Sequence, residues 1–214
     1  MSETNKLPIK IPVFPLSNFI IFPGTTVPLN IFEPKYIQMI DDCMKTNRMI
    51  GMIQPKKTGD LKKPDLYDIG CVGKITSFNE TEDGRYLIIL NGITRFKITR
   101  EILSEKLYRI CEINYESFRM DLSQEKQPLK FSNLEIIFKD LKNFFEKKGY
   151  SINWSEIKDK DLNYTINTLA MASPFSIEEK QTLLESVNIN DRKLKLEKIL
   201  KTYTLDEFGN RTIQ

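Results

Sequence analysis

The fold of this chain is decided by residues 11–36, which read IPVFPLSNFIIFPGTTVPLNIFEPKY. Six of the ten prolines fall within the first 36 residues, and each fixes φ and removes a backbone N–H donor. A regular helix is therefore excluded, and short extended pieces are predicted, joined by corners such as Pro23-Gly24. The apolar residues between the corners are too many to leave in water, so later segments must cover them. We interpret the stretch as the first strands and the seam of a small β domain.

Two long strands are predicted over residues 68–98, with a tight hairpin between them at Glu82-Asp83-Gly84-Arg85. The dipeptide Asp-Gly is a strong short-range signal for such a turn. Alternation in residues 86–90 places apolar side chains on both faces of the second strand, so both faces are expected to be at least partly covered. Such strands belong to a closed or folded-over sheet, which a last strand at about 107–116 is predicted to complete.

The second half of the chain is predicted to be helical, because glycine becomes rare there and apolar residues recur at helical spacing. An amphipathic helix is predicted at about 126–148, ending near Gly149. Ser176 with Glu179 forms a capping box ahead of a later helix. Asp191 is predicted to cap the last helix.

These patterns predict an α+β protein made of two packed units. The β unit is expected at about 7–119 and the helical unit at about 122–204. Within the β unit, a helix is predicted at about 34–46 and a short strand at 48–53. Trp154 is expected near the contact of the two units or within the helical bundle.

The composition excludes several classes of function. The sequence carries 32 lysines and arginines against 29 aspartates and glutamates, a formal charge of +3, which is not the strongly basic footprint of a dedicated nucleic-acid binder. It contains no histidine, so Ser-His-Asp and Cys-His nucleophile systems are excluded, as is any metal site that needs imidazole ligands. No cofactor and no metal site is expected, because no cluster with metal-ligand spacing exists.

The cysteines and the N-terminus indicate a cytoplasmic protein. Cys43, Cys71 and Cys111 are odd in number, distant in sequence and without CxxC spacing, so we interpret them as buried small hydrophobic residues in a reducing compartment. The N-terminal segment MSETNKLPIK lacks a basic region followed by an apolar run. No run approaches the roughly 20 apolar residues of a membrane span, so no membrane partner is expected.

Four blocks of sequence carry a family resemblance. They are VFPLSNFIIFPGTTVPLNIFEPKY at 13–36, RMIGMIQ at 48–54, DIGCVGKITSFNETEDGRYLIILNGITRFKI at 68–98 and LAMASPFSIEEKQTLLE at 169–185. In this order they resemble the N-terminal domain of the ATP-dependent Lon (La) proteases. The resemblance implies a PUA-like β pseudobarrel followed by a C-terminal helical bundle, and a part in capturing unfolded or degron-bearing substrates.

The catalytic parts of the Lon proteases have no counterpart in this sequence. A full-length Lon continues into an AAA+ ATPase and a protease domain with a Ser-Lys dyad, whereas this chain has no Walker A sequence and ends at Gln214. It is therefore expected to be a stand-alone substrate-binding domain that has no enzymatic activity.

The leading functional hypothesis is a protein- or peptide-binding module that acts as an adaptor or holdase for unfolded or degron-bearing proteins. A full-length ATP-dependent protease is a further candidate partner. The alternative is an RNA-binding PUA-like protein, although the nearly neutral charge and the lack of a basic-aromatic platform count against nucleic acid. An enzyme is the weakest hypothesis, because no nucleophile and base pair can be assembled.

A peptide-binding groove is predicted beside the proline corners of the opening stretch. Its candidate residues are Phe22, Pro23, Phe32, Glu33, Tyr36, Arg48 and Arg95. Phe22, Phe32 and Tyr36 supply aromatic anchors, because an exposed apolar patch rimmed by charge usually marks a partner site. The competing interpretation places all three in the core, and it is the favoured one for Phe32.

The charged candidates each have a structural alternative. Arg48 or Arg95 would steer acidic or C-terminal groups of a bound peptide. Structural pairing, for example of Arg95 with Glu33, is the preferred interpretation of these arginines. Glu33 lies at a strand-to-helix join and is interpreted first as a carboxylate that accepts backbone N–H groups at the helix start.

Overall fold

The structure of the chain divides into two compact units. The computed structural model describes residues 7–56, 63–123, 134–150 and 162–210. The units are Met1–Gln124, which is built on a β-sheet, and Glu125–Gln214, which is built from helices. This arrangement confirms the predicted α+β class. Trp154 and residues 126–133 of the predicted amphipathic helix lie outside the described residues.

The described part of the first unit contains a six-stranded sheet. Its strands are β1 (Lys10–Pro15), β2 (Thr26–Ile31), β3 (Met49–Ile53), β4 (Ile69–Glu80), β5 (Tyr86–Ile102) and β6 (Arg109–Asn114). The strand order is β2-β5-β4-β3-β1-β6, and β5 also pairs with β6, so the sheet closes on itself. Strands β1 and β3 run parallel, and every other pair is antiparallel.

Strand β5 is the centre of this closed sheet, because it pairs with β2, β4 and β6. The predicted hairpin precedes it, and Gly84 adopts the positive φ of 75° that such a turn requires. Tyr86, Ile88 and Leu90 point into the core, whereas Leu87 lies on the other face and remains well exposed. The predicted alternation is therefore confirmed. The face that carries Tyr86, Ile88 and Leu90 is almost fully buried, whereas the face that carries Leu87 is only partly covered.

Phe96 fills the centre of the barrel, packed with residues of β1, β4 and β6. Gly70 makes room for its ring: a Cβ at Gly70 would lie 2.6 Å from the ring and 2.5 Å from the Met52 carbonyl oxygen. Two register shifts in the β4–β5 ladder, between Val72 and Gly73 and after Ile75, let these long strands coil. The barrel thus closes around side chains rather than around a channel.

The helices of the described residues belong to both units. They are α1 (Pro34–Met44) and a 3-10 helix (Glu116–Leu122) in the first unit, and α2 (Leu134–Lys147), α3 (Leu162–Ala172), α4 (Ile177–Leu184) and α5 (Ile189–Asn210) in the second. Helix α1 begins at a proline, whose fixed φ suits a helix start and whose missing N–H is not needed there. It buries Tyr36, Met39, Ile40 and Cys43.

Aromatic rings form the core of the helical unit. Phe144 of α2 stacks on Phe175 with 5.3 Å between the ring centroids and meets Tyr203 of α5 at 4.6 Å. The Tyr203 hydroxyl donates to Glu179 Oε2 at 2.8 Å. This contact ties the core to the start of α4, because Glu179 also belongs to the cap of that helix.

The two predicted helix caps have different outcomes. The capping box at Ser176 is confirmed, since its hydroxyl accepts from the Glu179 N–H and the Glu179 carboxylate accepts from the Ser176 N–H. The predicted cap at Asp191 is wrong, because Asn188 Oδ1 accepts the Asp191 N–H at 3.0 Å and so caps α5 three residues earlier. The Asp191 carboxylate instead accepts from the Val187 N–H at 3.0 Å.

Two negative findings apply to the described stretches alone. None of their helices is both long enough and apolar enough to cross a membrane. No three of their cysteine, aspartate and glutamate side chains are grouped so that they could hold a metal ion.

Candidate functional site

A cleft of about 790 Å³ opens in the first unit beside the N-terminal end of α1. Its walls come from the end of β1, the first turn of α1, residues 55 and 63–64, and the loop between β5 and β6 at residues 103–108. This loop is called the 103–108 turn below. The volume lies within the roughly 300–1,000 Å³ of ligand-binding pockets. The cleft is therefore the main candidate site in the described part of the unit.

Tyr36 forms the buried side of the cleft. Its ring packs edge-on against Phe14, with 4.3 Å between the ring centroids and 87° between the ring planes. Val13 and Pro15 of β1 complete this side. Burial raises the pKa of the Tyr36 phenol, so the hydroxyl stays protonated at neutral pH and can donate a hydrogen bond.

Lys35 and Glu33 carry the charge next to Tyr36. The Lys35 ammonium lies 2.8 Å from Glu33 Oε2 and 4.6 Å from the centroid of the Tyr36 ring. The hydrogen bond with Glu33 raises the pKa of Lys35, which keeps the amine charged. Both charged side chains are almost half exposed, so water screens the pair and either group is able to exchange partners.

Glu101 and Arg109 form a charged part of the cleft wall. The Arg109 guanidinium binds both carboxylate oxygens, with Nη2 2.6 Å from Oε2 and Nε 3.2 Å from Oε1. Arg109 Nη1 also donates to the Pro64 carbonyl oxygen at 2.6 Å, and Lys63 Nζ lies 2.8 Å from Glu101 Oε1. Burial opposes the charge on Glu101, but the hydrogen bonds from Arg109 and Lys63 outweigh it and hold the pKa of Glu101 below its ordinary value. Two cations therefore meet one anion on this wall.

The 103–108 turn gives the cleft an apolar lip. Leu103 is 96% exposed and Leu107 is 64% exposed. A single exposed leucine is ordinary on a protein surface, but here two share one short turn at the mouth of a cleft. The lip therefore presents apolar surface where a chain entering the cleft would pass.

Hydrogen bonds to α1 hold the 103–108 turn in place. The Leu107 N–H donates to Gln38 Oε1 at 3.1 Å. Asp42 Oδ2 accepts from Lys106 Nζ at 2.9 Å and from the Tyr108 hydroxyl at 2.9 Å. The hydrogen bonds from Lys106 and then Tyr108 lower the pKa of Asp42, so the carboxylate remains charged and the turn remains attached to the helix at neutral pH.

Phe22 does not line the cleft, and its predicted place in a groove is wrong because the residue is 0% exposed. The Phe22 N–H donates to Thr25 Oγ1 at 3.2 Å, and the Thr25 hydroxyl donates to the Phe22 carbonyl oxygen at 2.7 Å. A Cβ at Gly92 would lie 2.1 Å from that same carbonyl oxygen, so the corner sits directly against β5. The apolar run before Pro23 therefore turns inward, and Pro23 itself is half-buried outside the cleft.

Arg95 is also a core residue, since it is only 2% exposed. Its predicted pairing with Glu33 is wrong: the guanidinium binds Asp121, with Nε 2.9 Å from Oδ2 and Nη2 2.8 Å from Oδ1. The charge also lies over the Phe118 ring, 4.3 Å from the ring centroid. A guanidinium enclosed in this way is not available to steer a peptide.

The remaining candidates separate into two places. Glu33 and Tyr36 lie together in the lining of the cleft. Phe32 is 64% exposed, so the core interpretation favoured for it is wrong; it borders a smaller pocket of about 370 Å³ with Arg85 of the β4–β5 hairpin. Arg48 is exposed outside the cleft, at a turn where it adopts a left-handed φ of 59°.

Glu33 occupies the N-cap position of α1, but its side chain accepts no capping hydrogen bond. The interpretation of its carboxylate as a helix cap is therefore wrong. The N–H groups of Tyr36 and Ile37 bond to the Glu33 backbone carbonyl at 2.8 and 3.0 Å, and Pro34 has no N–H to offer. The carboxylate instead binds Lys35, which directs it to the mouth of the cleft.

Sequence reasoning did not identify the leucines of the 103–108 turn as site residues. The segment ILSEKLY joins two strands and places two leucines among charged and small residues. Apolar side chains in a loop that is too short to form its own core have no obvious way to become buried. Two leucines in so short and polar a loop were the sequence signal that could have identified an exposed apolar site here.

Comparison with known proteins identifies one matching family model, described as the ATP-dependent protease La (LON) substrate-binding domain. The match covers residues 10–202, which is most of the chain. This domain is defined by its binding of protease substrates, so the match gives no support to the RNA-binding alternative.

Two similar relatives are Lon proteases. The Lon protease of Flavobacterium johnsoniae is 27% identical over 205 residues, which make up 90% of this chain and 24% of that protein. Lon protease 1 of Bdellovibrio bacteriovorus is 29% identical over 189 residues, 87% of this chain and 24% of that protein. The chain therefore spans about a quarter of the length of these relatives.

Two solved structures share the fold. A Lon N-terminal domain protein from Xanthomonas campestris is similar with a TM-score of 0.62 and 20% identity, covering 87% of this chain and 96% of that one. The N-terminal domain of Mycobacterium avium complex Lon protease is similar with a TM-score of 0.59 and 16% identity, covering 90% of this chain and 98% of that one. The closed sheet followed by helices is the arrangement that these domains share with this chain.

Proposed function

Because the chain belongs to the ATP-dependent protease La (LON) substrate-binding domain family, we propose that its cleft binds exposed apolar segments of unfolded or degron-bearing proteins. The matched region is the substrate-binding part of the Lon proteases rather than their catalytic part. The chain would act as an adaptor or holdase in the cytoplasm, with a full-length ATP-dependent protease as a second partner. The β unit, proposed at 7–119, carries the binding, and the helical unit is proposed at 122–204.

The observation that carries this proposal is the apolar lip above the cleft. Leu103 and Leu107 expose most of their surface beside a concavity whose inner side is formed by Tyr36 and β1. An extended peptide that lays one side chain into the cleft and the next against the lip would bury apolar surface on both partners. Alternate side chains of an extended segment are read in this way at other peptide-binding sites.

Charge supports a recognition site rather than a catalytic one. Both carboxylates of the cleft are paired with a cation: Glu33 with Lys35, and Glu101 with Arg109. Asp42, directly behind the lip, is occupied by Lys106 and Tyr108. Hydrogen bonds hold the pKa of Glu101 below its ordinary value, which is the opposite of what a general acid requires.

Peptide binding tests the proposal directly. A fluorescent peptide rich in leucine and taken from an unfolded protein should bind the complete chain in an anisotropy titration. The single changes Leu103→Ser and Leu107→Ser should each weaken binding about fivefold, close to the 1 kcal/mol expected for an interface anchor, without lowering the melting temperature. Leu194→Ser is the control, because Leu194 is also mostly exposed but lies in the helical unit.

The adaptor and holdase roles have separate readouts. The chain should slow the aggregation of a denatured reporter protein, and Leu103→Ser should reduce that protection at equal concentration. With a purified Lon protease added, the chain should change the rate at which the reporter is degraded. Binding of a fluorescent single-stranded RNA with no binding of the peptide would instead favour the RNA-binding alternative, and binding of neither would overturn the proposed function.

A further inference from the structure

The charged side chains around the cleft are not balanced. Four cations line it, Lys35, Lys63, Lys106 and Arg109, against the two anions Glu33 and Glu101. Asp42, directly behind the lip, accounts for one further negative charge through its contact with Lys106. The surface that a bound peptide would touch is therefore positively charged, although the whole protein has nearly equal numbers of acidic and basic residues.

We propose that the segment bound in this cleft carries a carboxylate next to its apolar side chain, and that Lys35 and the Tyr36 hydroxyl bind this carboxylate. The inference rests on the proposed function and names the class of peptide. The carboxylate is that of an aspartate or glutamate side chain, and a C-terminal carboxylate is the alternative that the test separates from it.

The geometry at the start of α1 supports this assignment. Lys35 Nζ lies over the Tyr36 ring at 4.6 Å from its centroid, so the ammonium and the ring face the same part of the cleft. The buried phenol keeps its proton and is thus a donor, as is the ammonium. Two donors on adjacent residues in the lining of a cleft that also has an apolar lip suit a carboxylate beside an aliphatic side chain.

Glu33 would compete with the carboxylate of the bound segment for Lys35. It holds Lys35 at 2.8 Å, but both side chains are almost half exposed, and an ion pair of that kind contributes little in water. An incoming carboxylate would take the place of Glu33 on Lys35. Removing the Glu33 charge should therefore strengthen binding of an acidic peptide, whereas removing the Lys35 charge should weaken it.

Lys106 contributes from the lip. Its ammonium lies 2.9 Å from Asp42 Oδ2, and close to half of its side chain is exposed between Leu103 and Leu107. Its positive charge is therefore partly compensated but remains at the mouth of the cleft. Exposed charges at the rim of a binding site act mainly on the association rate and on its salt dependence.

The test uses the complete chain and three fluorescent peptides of equal length and equal leucine content. The first carries two aspartates and an amidated C-terminus, the second has asparagines in their place, and the third has asparagines with a free C-terminal carboxylate. We expect the first peptide to bind about two- to fivefold more tightly than the second at low salt, with the difference lost at high salt. A gain by the third peptide alone would overturn the assignment to a side chain in favour of a C-terminal carboxylate. The arm that gains affinity identifies the source of the carboxylate.

Matched variants assign the preference to this cleft. Lys35→Gln should abolish the preference for a carboxylate, and Lys106→Gln should reduce its salt dependence. Glu33→Gln should increase the preference about twofold or more. Lys74→Gln is the control, because Lys74 is exposed on β4 outside the cleft, and it should leave the preference unchanged.

The outcomes distinguish this inference from the function on which it rests. If all three peptides bind equally, the carboxylate preference is wrong and the binding of apolar peptides stands. A preference that persists in Lys35→Gln also overturns the inference, since another group would then be responsible. If none of the peptides binds, the proposed function fails together with the inference.

Discussion

Arg95 of β5 and Asp121 of the 3-10 helix form a buried, bidentate ion pair, with Nε 2.9 Å from Oδ2 and Nη2 2.8 Å from Oδ1. The Arg95 backbone N–H also donates to Asp121 Oδ2 at 3.0 Å. The Phe118 ring covers the guanidinium at 4.3 Å. The pair therefore fixes the last helical turn of the first unit against the barrel.

Loss of one partner should cost far more than loss of a surface pair. Asp121→Ala leaves the guanidinium buried without its carboxylate, and we expect the free energy of unfolding to fall by about 3–5 kcal/mol. Urea denaturation followed by circular dichroism measures this change. Glu146→Ala, which removes the exposed partner of Lys142, is the control and should cost about 1 kcal/mol or less. Equal losses in the two variants would contradict the role given to the pair.

The same ion pair bears on where the first unit ends. A fragment that ends at residue 119 lacks Asp121 and most of the last turn of the 3-10 helix, whereas one that ends at residue 123 keeps both. We expect the shorter fragment to melt at least about 10 °C below the longer one, because its Arg95 is left uncompensated. Thermal melts of the two purified fragments provide the comparison. Equal melting temperatures would show that the helix adds nothing to the stability of the barrel.

Two phenylalanines of the opening stretch should respond in opposite ways to truncation. Phe22→Ala empties a fully buried site and should lower the free energy of unfolding by about 3–5 kcal/mol. Phe32→Ala removes a mostly exposed ring and should change it by about 0.5 kcal/mol or less. Chemical denaturation of both variants measures the difference. A mild effect at Phe22 would be inconsistent with its place in the core.

The closed sheet was predictable because its signals are local. Alternation along β5 and the Asp-Gly turn before it depend only on neighbouring residues, and the structure has both. Gly70 of β4 lies against the Phe96 ring, where a side chain would not fit. Tyr36 and Glu33 came together in the cleft because they lie three residues apart at the start of one helix.

The errors concern contacts between residues that are distant in sequence. Arg95 binds a carboxylate 26 residues later, in a short helix that no periodicity announced. Phe22 and Phe32 have similar neighbours in the sequence, yet the turn at Thr25 directs one inward and leaves the other in water. Whether a side chain at a corner is buried depends on the path of the backbone through the turn, and the local composition does not determine that path.

The buried cysteines should be inert while the chain is folded. Burial raises the pKa of Cys43 to about 12 and that of Cys111 to about 11, and Cys71 is fully buried. Because only the thiolate attacks, we expect their reaction with dithionitrobenzoate at neutral pH to be at least about a hundredfold slower than in denaturing urea. Absorbance of the released thionitrobenzoate follows both reactions. A thiol that reacts in the folded chain as fast as in urea would show that its site opens readily.

Pro28 lies at the centre of β2, the strand at one end of the sheet order. The Gly92 N–H donates to the Thr25 carbonyl oxygen at 2.9 Å, and the ladder continues with Val27 opposite Leu90. Odd-numbered residues of β2 therefore direct their peptide groups toward β5, and Thr26, Pro28 and Asn30 direct theirs toward the outer edge. Proline leaves the middle of that edge without a donor, which is a common protection against pairing between copies.

Pro28→Val should consequently promote self-association. The change restores one N–H at the outer edge and adds a side chain that favours strands, so two copies paired through β2 would gain about 0.5–1.5 kcal/mol for each restored hydrogen bond. Sedimentation velocity over a concentration series measures the fraction of dimer. Thr26→Val is the control, because it adds a similar side chain to the same face of β2 without adding a donor. If both variants dimerise equally, apolar surface is responsible rather than the restored N–H, and if neither does, the edge is protected by something other than Pro28.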